Sequence, residues 1–205
     1  MLRLYGFLPK TRTLGPHCRF ALWVQGCPRR CAGCMTPEAR SMDGGFSVAV
    51  SELAERIAGT EGVEGITITG GEPFLQAEEL ETLVVEVRKR RDFGVIVYTG
   101  FTLAELRKKA EGEPAIRGFL GTIDLLIDGP YMAERDDGRS LRGSDNQEVH
   151  SPTERYAGIA AEWYGRSGRA AELHVVGEEL FLAGIPGSDI LGKWRRKELA
   201  RTGRE

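Results

Sequence analysis

The sequence predicts an α/β domain on a mostly parallel sheet, and three observations carry that prediction. Short apolar runs rich in β-branched and aromatic residues alternate with segments whose apolar residues recur at helical spacing. Glycines and polar residues follow the runs at 65–69, 95–98 and 123–127, as expected where parallel strands deliver their C-terminal ends to one rim. A chain of 205 residues, 41% hydrophobic and 28% charged, suits one compact domain, so residues 1–205 are read as a single unit.

The first strand is expected at residues 20–25, running straight into a cysteine loop over residues 26–35. Ser47 is read as the cap of a helix through about residue 58, with Val50, Leu53, Ala54 and Ile57 on one face. Residues 65–69 form a short buried strand ending in Gly70-Gly71. A second helix over about 76–91 places Leu80, Leu83, Val84 and Val87 inward, and residues 95–98 form the next strand. Thr102 and Glu105 make a capping box that opens a third helix, followed by a strand at 123–127. Residues 128–152 are polar and glycine-bearing for longer than loops usually run, so they are either functional or without order. Apolar segments at 172–176 and 180–183 around Gly177 read as a hairpin or as two edge segments before Pro186, and residues 185–205 as a basic C-terminal tail.

The formal charge of −2 gives no general attraction to nucleic acid or anionic lipid. No apolar run approaches a membrane span, and the N-terminal residues lack a secretory h-region, so a cytoplasmic protein without membrane or nucleic-acid partners is expected.

Three of the four cysteines fall within eight residues, as Cys27-Pro28-Arg29-Arg30-Cys31-Ala32-Gly33-Cys34. In a chain read as cytoplasmic, such crowding points to metal ligation rather than disulfides. Three thiolates at C-x3-C-x2-C can converge on a [4Fe-4S] cluster and leave one iron open to an exogenous chelate. A closed zinc site with Cys18 or His17 as fourth ligand remains the alternative on spacing alone. Cys18 itself, at the start of a strand, reads as a small buried hydrophobe outside the cluster. Downstream, Gly70-Gly71-Glu72-Pro73 ends a buried strand, where main-chain groups meet a ligand with no Cβ in the way. The carbonyls and Glu72 suit an ammonium, and Pro73 fixes the turn; the alternative is a tight turn without a ligand. Thr99 and Asp128, at the ends of two further strands, either meet a ribose or ammonium or are ordinary turn residues.

Cys27-x3-Cys31-x2-Cys34 with a downstream Gly70-Gly71-Glu72-Pro73 resembles the radical S-adenosylmethionine superfamily. Segments 23–34, 69–73, 97–101, 127–130 and 141–147 are similar to the small activating enzymes of glycyl-radical proteins, above all those of anaerobic ribonucleotide reductase. The resemblance implies a partial (β/α) barrel with the cluster near its open top. It assigns Cys27, Cys31 and Cys34 to the cluster, and Gly70, Gly71, Glu72 and Pro73 to the methionine amino group of S-adenosyl-L-methionine. It further implies an oxidoreductase that generates a 5′-deoxyadenosyl radical and installs a glycyl radical in a partner, with reduced flavodoxin or ferredoxin as electron donor. A radical enzyme acting on a peptide or small molecule and a non-catalytic zinc or iron–sulfur module are the other readings. Gly33 departs from the aromatic that much of the superfamily carries before the third cysteine.

Overall fold

The structure is a computed structural model that describes residues 1–165, 168–176, 179–187 and 192–193. Most of the basic tail therefore lies outside the described residues. The chain runs β1 (Leu2–Thr11), β2 (Arg19–Val24), β3 (Phe46–Val48), α1 (Val50–Gly59), β4 (Gly65–Gly70), α2 (Ala77–Arg88) and β5 (Gly94–Tyr98). It continues through α3 (Leu103–Gly112), α4 (Pro114–Leu120), β6 (Leu125–Asp128), β7 (Glu148–His150), α5 (Ala157–Gly165), β8 (Ala171–Val176) and β9 (Glu179–Gly184).

Seven strands form one sheet in the order β3-β1-β2-β4-β5-β6-β7. The central strands β2, β4, β5 and β6 run parallel, while β1, β3 and β7 add antiparallel margins. The expected parallel sheet is thus its centre. The β-α-β rhythm puts the C-terminal ends of four strands on one rim.

Side chains alternate across the sheet, as the two-residue strand period requires. Phe20, Leu22, Val24, Ile66, Ile68, Val95, Val97 and Leu126 face the apolar stripes of α1 to α4 in the main core. Ala21, Trp23, Ile96, Leu125 and Ile127 face the other way. There they are covered by Leu14, Leu141, α5 and the separate β8–β9 hairpin. Each fully buried large apolar side chain contributes about 1.5–3 kcal/mol.

Several expectations are corrected. Ser47 lies in β3, and α1 opens after Ala49 with no side-chain cap, because Leu2 and Leu4 of β1 recruit the segment as a strand. Strand β1 itself was not expected; Pro9 and Lys10 break its apolar pattern, yet its buried residues Leu2, Leu4 and Leu8 keep one face. Helix α2 starts at Ala77 after a 3-10 turn, Pro73–Gln76, and stops at Arg88. Pro114 opens α4, which suits proline because the first helical turn needs no N–H partner. The capping box is present in full: Thr102 Oγ1 accepts from Glu105 N, and Thr102 N donates to Glu105. Of the two readings left open for residues 172–183, the paired one is present, with β8 antiparallel to β9.

Opposite the rim, Arg19 is fully buried. Its guanidinium donates to Thr67 Oγ1 at 3.2 Å, Ile66 O at 2.6 Å, Gly94 O at 3.0 Å, Tyr156 Oη at 2.6 Å and Glu64. A Cβ at Gly94 would meet Tyr156 Oη at 1.7 Å, so glycine there makes room for this network.

Among the described residues no helix is long and apolar enough to cross a membrane.

Candidate functional site

The cysteine loop leaves β2 at the rim and is closed at its neck. Gly26, at φ +96°, turns the chain, and its N–H donates to Ala39 O at 2.8 Å. Cys27 N donates to Arg40 O at 3.1 Å, so the 3-10 turn Pro37–Arg40 folds back on the loop entrance. Gln25 Nε2 clamps the same turn through Glu38 O at 3.2 Å and Ser41 O at 2.7 Å. Within the loop, Cys34 N donates to Cys31 O at 3.3 Å, and Gly33 takes φ +76°.

Cys27, Cys31 and Cys34 are partly buried thiols lining one cavity of about 390 Å³. Burial pushes the Cys27 thiol up; Arg29 N–H pulls against this, while Glu72, Cys34 and Cys31 push it further. Negative charge is crowded here, the arrangement a cationic centre relieves. Among the described residues no three His, Cys, Asp or Glu side chains close around a single metal ion. The thiols front a shared cavity instead. His17 is exposed and Cys18 packs against the helix-side core, both before β2, which puts its whole length between them and Cys27. Three soft sulfur donors, with the two candidate fourth ligands held at the far end of a strand, fit a cluster with one open iron better than a closed zinc site.

Gly70-Gly71 meets this loop directly. Gly71 N donates to Val24 O and Glu72 N to Gly26 O, each at 2.8 Å. A Cβ on Gly71 would sit 2.2 Å from Gly26 O, and one on Gly70, at φ +98°, 2.7 Å from Trp23 Cα. The glycine pair is required first by the approach of the cysteine loop. Glu72, 1% exposed, then turns inward. Its Oε1 accepts from Phe74 N at 3.1 Å and Thr99 Oγ1 at 2.8 Å; its Oε2 accepts from Gly100 N at 2.9 Å. Burial raises its pKa despite these bonds and the nearby Arg29 charge. With three of about four acceptor positions filled, Oε2 keeps one for a ligand. Pro73 is buried and opens the 3-10 turn behind Glu72.

Thr99 lines the cavity, with its hydroxyl spent on Glu72 and on Phe101 N. Asp128 faces away from the cavity: Oδ2 accepts from Leu103 N and lies 3.1 Å from His150 Nε2, and Oδ1 accepts from Glu148 N at 3.1 Å, tying α3 and β7 to the rim. The structure thus brings together the three cysteines, Gly70, Gly71, Glu72 and Thr99, and holds Pro73 and Asp128 one layer behind.

Residues 128–152 are ordered by their own polar groups. Gln147 Oε1 accepts from Gly143 N at 2.8 Å and Ser144 N at 3.2 Å, while its Nε2 donates to Gly129 O at 2.8 Å. Arg142 donates to Asp137 and to the carbonyls of Asp145 and Gln147. This segment brings Tyr131 to the cavity, packed where a Cβ on Gly33 would meet its ring at 3.0 Å. Arg169 reaches in from the C-terminal segment to Asp136 at 2.7 Å and to the carbonyls of Arg139, Arg142 and Gly143. Leu182, Ile185, Pro186 and Gly192 add to the wall. Sequence reasoning missed Arg29, Tyr131 and Arg169; Arg29 carried one signal, its place between two cysteines.

The chain is similar to known proteins over most of its length. Residues 13–150 match the 4Fe-4S single cluster domain family. The chain is 31% identical over 146 residues to the anaerobic ribonucleoside-triphosphate reductase-activating protein of Enterobacteria phage T4, covering 68% of this chain and 88% of that protein. It is 31% identical over 144 residues to the protein of the same name from Vibrio cholerae serotype O1, covering 66% and 89% respectively. A shorter match, 33% over 81 residues, is to the pyruvate formate-lyase-activating enzyme of Staphylococcus aureus, covering 37% of this chain and 32% of that one.

Proposed function

Because the chain belongs to the glycyl-radical activating family with a 4Fe-4S single cluster domain, we propose that it cleaves S-adenosyl-L-methionine reductively and installs a glycyl radical in a partner enzyme. Anaerobic ribonucleotide reductase is the partner that the names of its relatives favour. The observation that carries the reading is the shared cavity, in which three thiols and the Gly70-Gly71-Glu72 strand end face one another.

Cys27, Cys31 and Cys34 would hold a [4Fe-4S] cluster. Gly70, Gly71 and Glu72 would receive the methionine amino group, with Pro73 fixing their turn. When bound and reduced, such a cluster would supply one electron to the sulfonium, breaking its sulfur–C5′ bond to give methionine and a 5′-deoxyadenosyl radical able to abstract hydrogen from a glycine. The chain's own residues prepare the place. Glu72 offers its remaining acceptor position to an ammonium, and Thr99 and Gly100 N–H lock its carboxylate in one orientation. Asp128 acts at one remove, holding α3 and β7 against the rim. Residues 129–147 and the β8–β9 hairpin wall part of the cavity. We take residues 1–205 as one domain, the sheet as the partial barrel of such enzymes, the location as cytoplasmic, and reduced flavodoxin or ferredoxin as the electron donor.

Anaerobic reconstitution with iron and sulfide is expected to give a brown protein, and dithionite with S-adenosyl-L-methionine to release 5′-deoxyadenosine. Replacing Cys27, Cys31 or Cys34 by Ala abolishes iron binding, whereas Cys18→Ala retains it. Mixing with a glycyl-radical enzyme gives a glycine-centred doublet by electron paramagnetic resonance. A colourless protein with stoichiometric zinc overturns the reading.

A further inference from the structure

The cysteine loop is held unevenly along its length. Its neck is tied by Gly26 N to Ala39 O, by Cys27 N to Arg40 O and by the Gln25 carboxamide. Its far turn, which carries Cys31 and Cys34, closes on the long 3.3 Å bond from Cys34 N to Cys31 O, with Ala32 exposed and Gly33 in the left-handed region. The ring of Tyr131, from the segment that follows β6, stands against that turn. A Cβ on Gly33 would lie 3.0 Å from Tyr131 Cε1 and 3.7 Å from its Oη. The opposite edge of the same ring fills the space of a second missing side chain: a Cβ on Gly143 would lie 2.6 Å from Tyr131 Cδ2 and 3.1 Å from Cε2. Two glycines, one in the cysteine loop and one in the later segment, thus make room for a single aromatic ring.

The ring has a fixed stem. Gly129 N donates to Phe101 O at 2.8 Å, Asn146 Nδ2 to Pro130 O at 2.7 Å and Met132 N to Ser144 Oγ at 3.1 Å, so the chain is braced on both sides of Tyr131. Gly143 is backed by Gln147 Oε1, which accepts its N–H at 2.8 Å. A metal ligand is aimed only as well as the groups behind it hold its backbone, and here the better-braced partner is the ring. We propose that Tyr131 is a positioning residue for the iron–sulfur centre: its ring transmits the order of residues 129–147 to the Cys31–Cys34 turn and so fixes the aim of two of the thiols. The assignment rests on Cys27, Cys31 and Cys34 holding the cluster.

The test follows the rate at which anaerobically reconstituted protein, its cluster oxidised, gives up iron to an excess of chelator well below the melting temperature. Tyr131→Ala is expected to lose iron on the order of tenfold faster than the parent, the scale on which groups behind a metal ligand act. Tyr131→Phe is expected to match the parent, because ring carbons make the close contacts with both glycines. Gly143, whose φ is not positive, supplies a variant that keeps the ring. Gly143→Ala presses on the ring and is expected to speed release, yet to add nothing in the Tyr131→Ala background. Tyr156→Phe, which loosens the opposite end of the sheet, controls for lost stability and is expected to release iron at the parental rate. Parental release from Tyr131→Ala or from Gly143→Ala, acceleration by Tyr131→Phe or Tyr156→Phe equal to that by Tyr131→Ala, or independent effects of the Gly143 and Tyr131 changes overturns the positioning role while leaving the functional reading in place. A parent protein that holds no cluster overturns that reading, and the role with it.

Discussion

Gly71 is held without a side chain by a carbonyl, since a methyl group there would lie 2.2 Å from Gly26 O. Gly71→Ala is therefore expected to cost about 1–3 kcal/mol in overpacking. It should also leave the reconstituted protein with sub-stoichiometric iron although all three cysteines are present; full iron loading of that variant would show that the contact is dispensable. At this scale the cysteines, Glu72 and Thr99 were legible because each belongs to a short motif at a strand end. Asp128 shared that position, yet its carboxylate serves Leu103 N and Glu148 N, partners no local pattern announces. Arg169 was illegible for the same reason, its acceptors lying 26 to 33 residues away along the chain.

Among the elements, α3 was read to its cap because Thr102 and Glu105 are three residues apart and satisfy each other's backbone. Thr102→Ala removes that acceptor and should cost about 1 kcal/mol, measured by chemical denaturation. Strand β3 was misread because its three residues are a strand only by pairing with β1, more than forty residues away. The segment from Gly129 to Gln147 shows the same dependence on distant partners, and its tie to Arg169 titrates. Burial raises the Asp136 carboxyl, but the Arg169 hydrogen bond, Gly138 N–H and the Arg169 charge outweigh it and hold the pKa below the usual carboxylate range. A depressed pKa contributes stability that is present above the ordinary value, about 3.9, and is lost as pH falls through the lower one. Amide exchange over residues 139–147 should thus rise at acid pH in the parent protein. Arg169→Gln should raise it already at neutral pH, and similar exchange in both proteins at neutral pH would refute the tie.

Over the whole molecule, chemistry and stability sit at opposite ends of the sheet. The rim carries the thiols; the far end carries Arg19, Glu64 and Tyr156, where Tyr156 Oη also donates to Glu64 Oε2 at 2.5 Å. Tyr156→Phe is expected to cost about 1–3 kcal/mol by unpairing buried polar groups, while iron content stays at the parent level. A fall in iron without a fall in melting temperature would contradict this division. The parallel rhythm of strands and helices foretold which end would be the rim, since strand direction alone decides it. The cover over the opposite face was only partly foretold: a hairpin was one of two readings left open, and its docking on Trp23 through Phe181 was not foreseen. That cover has a consequence for biosynthesis. One side of the cavity comes from Leu14 and another from Leu182, Ile185, Pro186 and Gly192, so a growing chain presents an open trough until these last residues have emerged from the ribosome. Iron supplied to ribosome-bound chains arrested before residue 182 should accordingly enter and escape faster than iron supplied to released protein.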